Sequence, residues 1–504
     1  MKHHVARITL ETKTALAINT GKQDGVFDTS LVTDANGLPA IPATSITGVL
    51  RHLFKQFYGE ESANTLFGFQ KQSAQNHDDK GQISQLNISW GHLNDSKGKV
   101  IEGIDFEDKI ASDKLLSSAF EQAMISPLIR DRTVSNSRGV SKNKFDVSIL
   151  QQGHRFSFEL SYWDKSQRES TDTTDDSLWE KALMTLFHPL FRLGSNTRNG
   201  LGAISIVQLQ TRAFDLQEEN DQQAYIEYTQ TRTRNNLTGF EDKLNIYQTQ
   251  AEEQTKKYLT KISLTLEPTG FWRFGQGNHP QKIDSNNKIP DLLPKMEESI
   301  TWDNHKGKVG DLRLLIAASS IKGAIAHRVA FHANRLNNVW VEDFEKDQIA
   351  TYNKSEECET VKRIFGYAAN EKRTEDIDID DKEIGHVGAL IINDTYISFK
   401  EKEDLKVIMH NSIDRFTAGV RKGMLYSEEM VWGKNIELNI YLDESKLEDI
   451  DKKALHLALE DLAQGRLSLG ARAAVGHGFF KDTQYQNPFD GTQGKAQEAQ
   501  GEAQ

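Results

Sequence analysis

The sequence predicts an α+β protein that contains two copies of one unit, because two motifs occur twice in the same order and at nearly the same displacement. Since an internal repeat sets the architecture of both copies, the repeat is the first feature to establish. The two pairs are Ser45-Ile46-Thr47-Gly48 with Ser320-Ile321-Lys322-Gly323, and the glycine triplet Gly194, Gly200 and Gly202 with Gly470, Gly476 and Gly478.

Each copy is expected to begin with a strand and a helix. Apolar residues alternate at Ile8 and Leu10 and again from Ile262 to Leu266, which is the period of a half-buried strand. After a loop, apolar residues at helical spacing follow Ser45 and Ser320, whose hydroxyls are expected to cap the helix N-termini. Gly59 is expected to end the first of these helices.

The remaining elements of the two copies also correspond, which completes the pattern. The expected strands are Leu86–Trp90 with Ala389–Tyr396, and Phe156–Leu160 with Ile436–Leu442; the expected helices are Ser177–Phe191 with Lys452–Leu462, and a last strand runs through Ala203–Leu209. Weaker echoes are Leu66-Phe67-Gly68 with Ile364-Phe365-Gly366, and the stretch from Ile129 with Ile413–Thr417. A β-α-β followed by another β-α-β is the ferredoxin-like, or RRM-like, plan.

These motifs divide the chain into four parts. We expect a first unit at 1–212, a polar linker at 213–257, a second unit at 258–486 and a low-complexity tail at 487–504. The tail is rich in Gln, Ala, Gly and Glu, a composition that cannot bury enough apolar surface to fold.

The composition excludes several classes of protein. No apolar run approaches the roughly 18 to 20 residues of a membrane-spanning helix, and the N-terminus lacks a signal peptide, so a cytoplasmic protein without membrane contact is expected. Because the chain has a single cysteine, Cys358, we expect neither a disulfide framework nor structural zinc bound by cysteines. Because the chain has a net charge of −12, any site for nucleic acid must be a local basic surface.

Such a basic surface is present in the middle of the first copy. Serine, asparagine and glycine separate the cations, as expected of an exposed hairpin that can lie along a phosphate backbone. A solvated loop without function is the alternative. The cations are Arg130, Arg132, Arg138, Lys142 and Lys144, with Arg415, Arg421 and Lys422 in the second copy.

The glycine triplets and the helix starts are candidate anion sites. Arg198 lies inside the first triplet and Arg472 inside the second, so backbone N–H groups beside a guanidinium could cradle a phosphate. A tight turn between a helix and a strand explains the glycines equally well. Arg51 and Lys322 lie close to the helix starts, where unpaired N–H donors favour anions.

Taken together, these motifs resemble the repeat-associated mysterious protein (RAMP) superfamily. The residues that carry the resemblance are Asp28, Asp34, Gly37-x-Pro39-x-Ile41-Pro42, Ser45-x-x-Gly48-x-x-Arg51, Leu66-Phe67-Gly68, Ile413–Thr417 and the glycine loops. Within the superfamily they are similar to the backbone subunits of type III CRISPR effector complexes. Two fused units resemble the double backbone subunit of type III-D variant complexes.

The resemblance implies a subunit that binds guide crRNA and complementary target RNA and assembles with other RAMP subunits. It implies inserted "thumb" hairpins that displace a nucleotide at regular intervals, and cleavage of target RNA at a loop aspartate, with Mg²⁺ as the expected cofactor. Asp28 occupies the place of that aspartate and would also hold the metal. RNA contacts are then expected at Ser45, Thr47, Gly48, Arg51, Ser320, Lys322 and Arg328, besides the hairpin cations and the glycine-loop arginines.

The second copy departs from the pattern near its expected aspartate. Aligning Ser30–Asp34 with Ser299–Asp303 puts Glu297 opposite Asp28. A glutamate moves the carboxylate by one methylene, which can abolish a finely positioned reaction. The second site is therefore expected to be weak, shifted to Asp284 or Asp291, or inactive.

Two other functions fit the same sequence. One is a purely architectural crRNA-binding scaffold without catalysis. The other is a duplicated ferredoxin-like enzyme that binds a phosphorylated small molecule at its glycine loops. The histidines that follow the helix starts, His52 and His327, are expected to have structural roles.

Overall fold

A computed structural model describes most of the chain. The described residues are 2–22, 29–71, 80–104, 109–113, 115–116, 129–135, 144–164, 174–231, 237–275, 289–343, 358–367 and 385–490. They fall into two compact units. The first contains Met1–Thr197, Leu201–Lys257 and Glu298–Asp311, and the second contains Arg198–Gly200, Tyr258–Glu297 and Leu312–Gln504.

The elements of the first part of the chain follow the β-α-β-β-α-β order. The strands are β1 (Lys2–Thr12), β2 (Phe69–Lys71), β3 (Lys80–Gln82), β4 (Leu86–Ile88), β5 (His92–Leu93), β6 (Ile129–Ser135), β7 (Lys144–Leu150), β8 (Arg155–Asp164), β9 (Ile204–Asp215) and β10 (Glu241–Asp242). The α-helices are α1 (Ala43–Tyr58), α2 (Glu60–Phe67), α3 (Lys109–Ser112), α4 (Thr174–Thr185), α5 (Glu219–Thr231) and α6 (Leu244–Tyr258).

In the first unit, the strands form an antiparallel sheet in the order β10-β9-β1-β8-β4, with β5 also paired to β8. Four of these strands, in the order β9-β1-β8-β4, have the ferredoxin-like arrangement. Ala6 of β1 lies opposite Leu160 of β8, and residues of both strands that face the helices are buried. Phe54 of α1 and Leu183 of α4 lie in the same hydrophobic cluster as Phe158 of β8.

The second part of the chain repeats this order. The strands are β11 (Thr260–Pro268), β12 (Met296–Asp303), β13 (Lys306–Ile316), β14 (Leu390–Ile392), β15 (Thr395–Ile397), β16 (Leu405–His410), β17 (Tyr426–Val431), β18 (Ile436–Leu442) and β19 (Phe480–Lys481). The α-helices are α7 (Ala318–Leu336), α8 (Glu359–Phe365), α9 (Glu401–Asp404) and α10 (Asp449–Ala463). The sheet order β14-β18-β11-β19 is again ferredoxin-like, so the predicted fold class, two tandem ferredoxin-like units, is confirmed.

Each unit also carries a separate two-stranded hairpin between its second and third sheet strands. β6 pairs with β7 in the first part of the chain, and β16 pairs with β17 in the second. Both pairs are antiparallel, and Leu150 and Val431 end the second strand of each hairpin. The predicted inserted hairpins are therefore present.

The helix caps differ from the prediction. The first helix begins at Ala43 after Pro42, and the equivalent helix begins at Ala318 after Ala317. Ser45 and Ser320 lie inside the first turn, where their N–H groups donate to the carbonyls of Pro42 and Ala317. The cap at Ala318 is instead the carboxylate of Asp394, which accepts the Ala318 N–H at 2.8 Å. Gly59 does end α1, with a φ of 89°.

Other details of the elements also differ from the prediction. The helix expected over Ser177–Phe191 ends at Thr185, and the strand expected at Ala389–Tyr396 divides into β14 and β15. The echo between Ile129 and Ile413 is wrong, because Ile129 lies opposite Leu150 and its counterpart Leu405 lies opposite Val431. Ile413–Thr417 belongs to the longer tip of the second hairpin.

The interval 213–257 contains the helices α5 and α6, and the first unit includes it. The tail is described only as far as residue 490. Among the described helices, none combines the length and apolar character needed to cross a lipid bilayer.

A close backbone crossing is repeated in both units. A Cβ on Gly194 would lie 2.4 Å from the carbonyl oxygen of Ala17, and one on Gly470 would lie 2.4 Å from that of Arg273. The third glycine of each triplet is equally crowded by its own loop. A Cβ on Gly202 would lie 2.1 Å from the carbonyl oxygen of Leu193, and one on Gly478 would lie 2.2 Å from that of Leu469. These four glycines are required by packing within the chain.

We predict that Gly478→Ala destabilises the protein more than Gly476→Ala. Both glycines have positive φ, at 76° and 86°, so both variants strain the backbone, but only a Cβ at position 478 meets another atom within 4 Å. The difference in free energy of unfolding should be at least about 1 kcal/mol, the lower end of the usual cost of overpacking. Urea unfolding measures it, and equal losses would contradict the crossing.

Candidate functional site

The tip of the second hairpin is an exposed loop that presents both apolar and basic side chains. Asp414 shapes it by accepting the backbone N–H groups of Phe416 at 2.9 Å and Thr417 at 3.0 Å. These bonds, from Thr417 first and then Phe416, hold the pKa of the Asp414 carboxyl below its usual range. The Phe416 side chain is 98% exposed.

Other side chains of this tip are also exposed to solvent. The apolar ones are Ile413, Val420, Met424 and Leu425, and the basic ones are Arg415, Arg421 and Lys422. A soluble monomer rarely leaves such an apolar group uncovered without a binding role. Exposed cations next to an exposed aromatic ring are suited to single-stranded nucleic acid, whose phosphates are anionic and whose bases are planar.

A buried carboxylate organises the base of this hairpin. Glu428 of β17 is completely buried and accepts a bond of 2.7 Å from Nε of Arg273. His410 Nε2 and Arg472 Nε lie 3.1 Å and 3.3 Å from its other oxygen. Because a second contact of 3.1 Å joins the Arg472 guanidinium to His410 Nδ1, the hairpin and the second glycine loop share one network. We call Arg273, His410, Glu428 and Arg472 the charged node.

At two positions of this node, those of Arg273 and Glu428, the first unit has apolar side chains. Leu16 bridges Leu150 as Trp272 bridges Val431, so Ala17 corresponds to Arg273 and Val147 to Glu428. A small buried cluster fills this place in the first unit and consists of Ala15, Ala17, Val147, Ile149 and Leu201. The fold therefore does not need the buried pair of Arg273 and Glu428, which costs desolvation energy that apolar packing avoids.

The strand register also fixes which carboxylate of the second unit corresponds to Asp28. Thr29 forms a parallel bridge with Val147, and Leu292 forms one with Glu428. Because Val147 and Glu428 are equivalent, Thr29 and Leu292 are equivalent too. A second bridge pair, Asn19 to Leu31 and Gly275 to Pro294, has the same displacement. The residue before Leu292 is Asp291, which is therefore the counterpart of Asp28.

The alignment that paired Glu297 with Asp28 needs correction. The Val32 N–H donates to the Ile18 carbonyl, and the Lys295 N–H donates in the same way to the Phe274 carbonyl, so Val32 and Lys295 are equivalent. Two residues further along the chain, Glu297 corresponds to Asp34. The second copy has extra residues, and the structure places them in the long hairpin β12–β13. The sequence alignment assigned part of them to the segment before this hairpin. Glu297 is 1% exposed and accepts a bond from the Tyr396 hydroxyl at 3.3 Å.

Asp291 is exposed and held in place by one residue of the hairpin. Its Oδ2 accepts the Ser427 N–H at 2.7 Å and the Ser427 hydroxyl at 2.9 Å. These bonds, the backbone one first, hold the pKa of the Asp291 carboxyl below its usual range, so it is ionised at neutral pH. Asp28 and Asp284 lie outside the described residues.

The described residues contain no group of three or more His, Cys, Asp or Glu side chains that could hold a metal ion. A magnesium ion does not require one, because it is commonly bound through one or two carboxylates with the remaining ligands from phosphate and water. The exposed Asp291 carboxylate meets that smaller requirement.

The candidates at the start of α1 have mostly local contacts. Thr47 donates its hydroxyl to the Ala43 carbonyl at 2.8 Å, and the Arg51 guanidinium donates to Asn64 at 2.9 Å. Gly48 has open space beside its Cα, and Ser45 lies in the first turn. Gly48 therefore leaves room for a ligand to approach the helix closely.

The candidates in and around α7 are drawn into contacts within the second unit. Arg328 pairs with Asp461, which also accepts a bond of 2.8 Å from His332. Lys322 is largely buried, and burial, with the neighbouring Arg198, lowers its pKa to about 8. Burial also lowers the pKa of Arg198, against the opposing effect of Asp443. Ser320 is exposed.

In the first hairpin, the predicted cations lie on both strands. Arg130 and Arg132 belong to β6, and Lys144 belongs to β7 opposite Ser135. Arg138 and Lys142 lie outside the described residues. The middle glycines of the two loops, Gly200 and Gly476, have φ of 104° and 86°.

The sequence reasoning missed Arg273, His410 and Glu428. A signal was present only for Arg273, which lies among the aromatic residues Phe271, Trp272 and Phe274, because Glu428 stands beside Ser427 and Glu429 in a polar part of its strand. Reading it required the register of the two copies, which only the bridges Leu16–Leu150 and Trp272–Val431 supplied.

The fold and both sites can now be compared with known families. The RAMP superfamily model matches residues 9–205 and 241–481, which together make up most of the chain. The chain therefore belongs to the RAMP superfamily, and the match covers both copies.

The similarity to a solved structure is weaker than the match to this family. A chain of "Cryo-EM structure of the Type III-B Cmr-beta bound to cognate target RNA" is similar at 15% sequence identity and a TM-score of 0.27. The similarity covers 42% of this chain and 61% of that one. No curated protein matches the sequence.

We predict that Glu428→Val alone costs about 3 to 5 kcal/mol of unfolding free energy, because it leaves Arg273 buried without its carboxylate. The double variant Arg273→Ala with Glu428→Val copies Ala17 and Val147 of the first unit and should recover part of that loss. Urea unfolding of both variants measures the difference. A double variant that is less stable than Glu428→Val would contradict the equivalence of the two positions.

Proposed function

We propose that this protein is a guide-RNA-binding backbone subunit of a type III CRISPR effector and that it cleaves complementary target RNA. The observation that carries the proposal is the duplicated arrangement: two ferredoxin-like units of the RAMP superfamily, each with an inserted hairpin that pairs with an equivalent residue, Thr29 or Leu292. An aspartate precedes each of these two residues in the sequence. An assembly with other RAMP subunits would extend the RNA path beyond one chain.

The hairpin tips supply the contacts to RNA. Arg415, Arg421 and Lys422 are exposed on the second tip and can neutralise phosphates. Phe416 extends from the same loop and can stack on a base or separate two neighbouring bases. The charged node fixes the base of the hairpin, so that the tip projects from a rigid support.

Cleavage at Asp28 and Asp291 would proceed by attack of a ribose 2′-oxygen on the adjacent phosphorus. This step forms a 2′,3′-cyclic phosphate and breaks the bond from phosphorus to the 5′-oxygen of the next nucleotide, which leaves with a proton from water. The ionised carboxylate of Asp291 can accept the 2′-hydroxyl proton, and Ser427 orients it through two hydrogen bonds to one oxygen, which leaves the other oxygen to act. If the same oxygen instead holds a magnesium ion, the ion would offset the negative charge that develops on the phosphate, and water would take the 2′-hydroxyl proton. The low pKa keeps Asp291 in its acceptor form as the pH falls from 8 to 6.

We predict that Asp28→Ala and Asp291→Ala each remove one defined cut in target RNA. Each loss should be about 100-fold or more in rate, the usual size of a general acid–base contribution. The assay uses the assembled complex with matching guide and end-labelled target, with magnesium and with chelator, and target binding is measured in parallel.

Glu297→Gln is the matched control. Glu297 is a carboxylate in the same segment as Asp291, but it is buried and corresponds to Asp34 rather than to Asp28. It should leave the cutting pattern unchanged. If both cuts persist in the aspartate variants while target binding is intact, this subunit is an architectural scaffold.

We predict that removing the three tip cations lowers the salt dependence of RNA binding. The slope of log K against log salt should fall by about 2, since each contact to single-stranded RNA contributes about 0.7. Titrations of labelled RNA with the Arg415→Ala, Arg421→Ala, Lys422→Ala triple variant measure it. Lys400→Ala is the control, because Lys400 is exposed but paired with Glu403 at 3.0 Å.

A further inference from the structure

An aromatic surface lies beside the second glycine loop, outside the hairpin tip and the aspartate. Trp432 directly follows β17, and its side chain is 48% exposed. Its ring centroid lies 4.7 Å from that of Phe271, and the Phe271 ring lies 5.8 Å from that of His477. We call Phe271, Trp432 and His477 the aromatic platform.

The backbone holds this platform in place. The Trp432 N–H donates to the Asp404 carbonyl at 2.8 Å, and the Phe271 carbonyl accepts the Gly478 N–H at 2.8 Å. Gly433 and Gly476 have no atom within 4 Å of the position where a Cβ would lie. The platform is therefore anchored beneath while space remains open near it.

A guanidinium lies on the same loop as one member of the platform. Arg472 is followed closely by His477, and its Nε lies 3.3 Å from the Glu428 carboxylate. Two arginines, Arg273 and Arg472, meet only one carboxylate in the charged node, so the node carries a surplus of positive charge. A ligand that suits this place has a planar ring next to an anionic group.

The equivalent positions of the first unit carry no such aromatic residues. The repeat register places Ala15, Gln151 and Leu201 at the positions of Phe271, Trp432 and His477. None of the three is aromatic, and the first unit still forms the same crossing and bridges. The fold therefore does not require rings at these positions, and an exposed tryptophan contributes little to the core.

We propose that the aromatic platform stacks an unpaired base of single-stranded RNA, with the adjacent phosphate near Arg472. The inference rests on the proposed RNA-binding function and adds an asymmetry to it: the second unit holds a base by stacking, and the first unit does not. Stacking on an aromatic face tolerates every base, so the site selects unpaired RNA rather than a sequence.

The experiment measures binding of a fluorescein-labelled single-stranded RNA to the full chain. Trp432→Ala should weaken binding by about 5- to 100-fold, in line with the usual contribution of one stacked base. Trp432→Phe, which keeps a ring, should retain most of the affinity. The slope of log K against log salt should not change in either variant, because no phosphate contact is removed.

Trp340→Ala is the matched control, since Trp340 is 44% exposed and lies outside the platform. It should bind RNA as the unaltered chain does. If Trp432→Ala binds as the unaltered chain does, or if Trp432→Phe loses as much as Trp432→Ala, the stacking site is wrong while RNA binding stands. If the unaltered chain binds no RNA, the proposed function itself fails.

Discussion

The backbone crossing at the glycine loops is the constraint on which the rest of the structure depends. In both units the loop after the second helix passes so close to the segment after the first strand that no side chain fits at Gly194 or Gly470. The next N–H in each loop donates to the carbonyl it crosses, from Ser195 to Ala17 at 2.7 Å and from Ala471 to Arg273 at 2.9 Å. This crossing joins the sheet to the hairpin base and sets where the loop arginine lies.

On this shared frame the two copies have developed different interiors. The first keeps small apolar residues beside the crossing, whereas the second has a buried carboxylate with two arginines and a histidine. A buried ion pair of this kind rarely adds stability over apolar packing of the same volume, so its presence indicates a role in positioning. The role proposed here is to support a basic, aromatic hairpin and a neighbouring platform for RNA.

The sequence was sufficient for the fold and partly sufficient for the site. Hydrophobic periodicity and two recurring motifs predicted the duplication and its strand and helix order, because burial determines both patterns. They named Asp291 only as one alternative to Glu297 and Asp284 in the second copy, since an extended hairpin that includes Glu297 shifted the apparent register. The caps were also missed: Ser45 and Ser320 have the right side chains, but Pro42 and Ala317 begin the helices one turn earlier. Long-range pairing, such as Leu292 with Glu428, is not encoded in local spacing.

The most direct test of the central claim is the dependence of affinity on RNA length. The full chain is titrated with mononucleotides and with single-stranded RNAs of increasing length at one salt concentration. A subunit that tracks an RNA backbone over two hairpin-bearing units should bind more tightly as the RNA lengthens, until both units are occupied. Mononucleotides that bind as tightly as the longest RNA would contradict the account and favour an enzyme that acts on a phosphorylated small molecule.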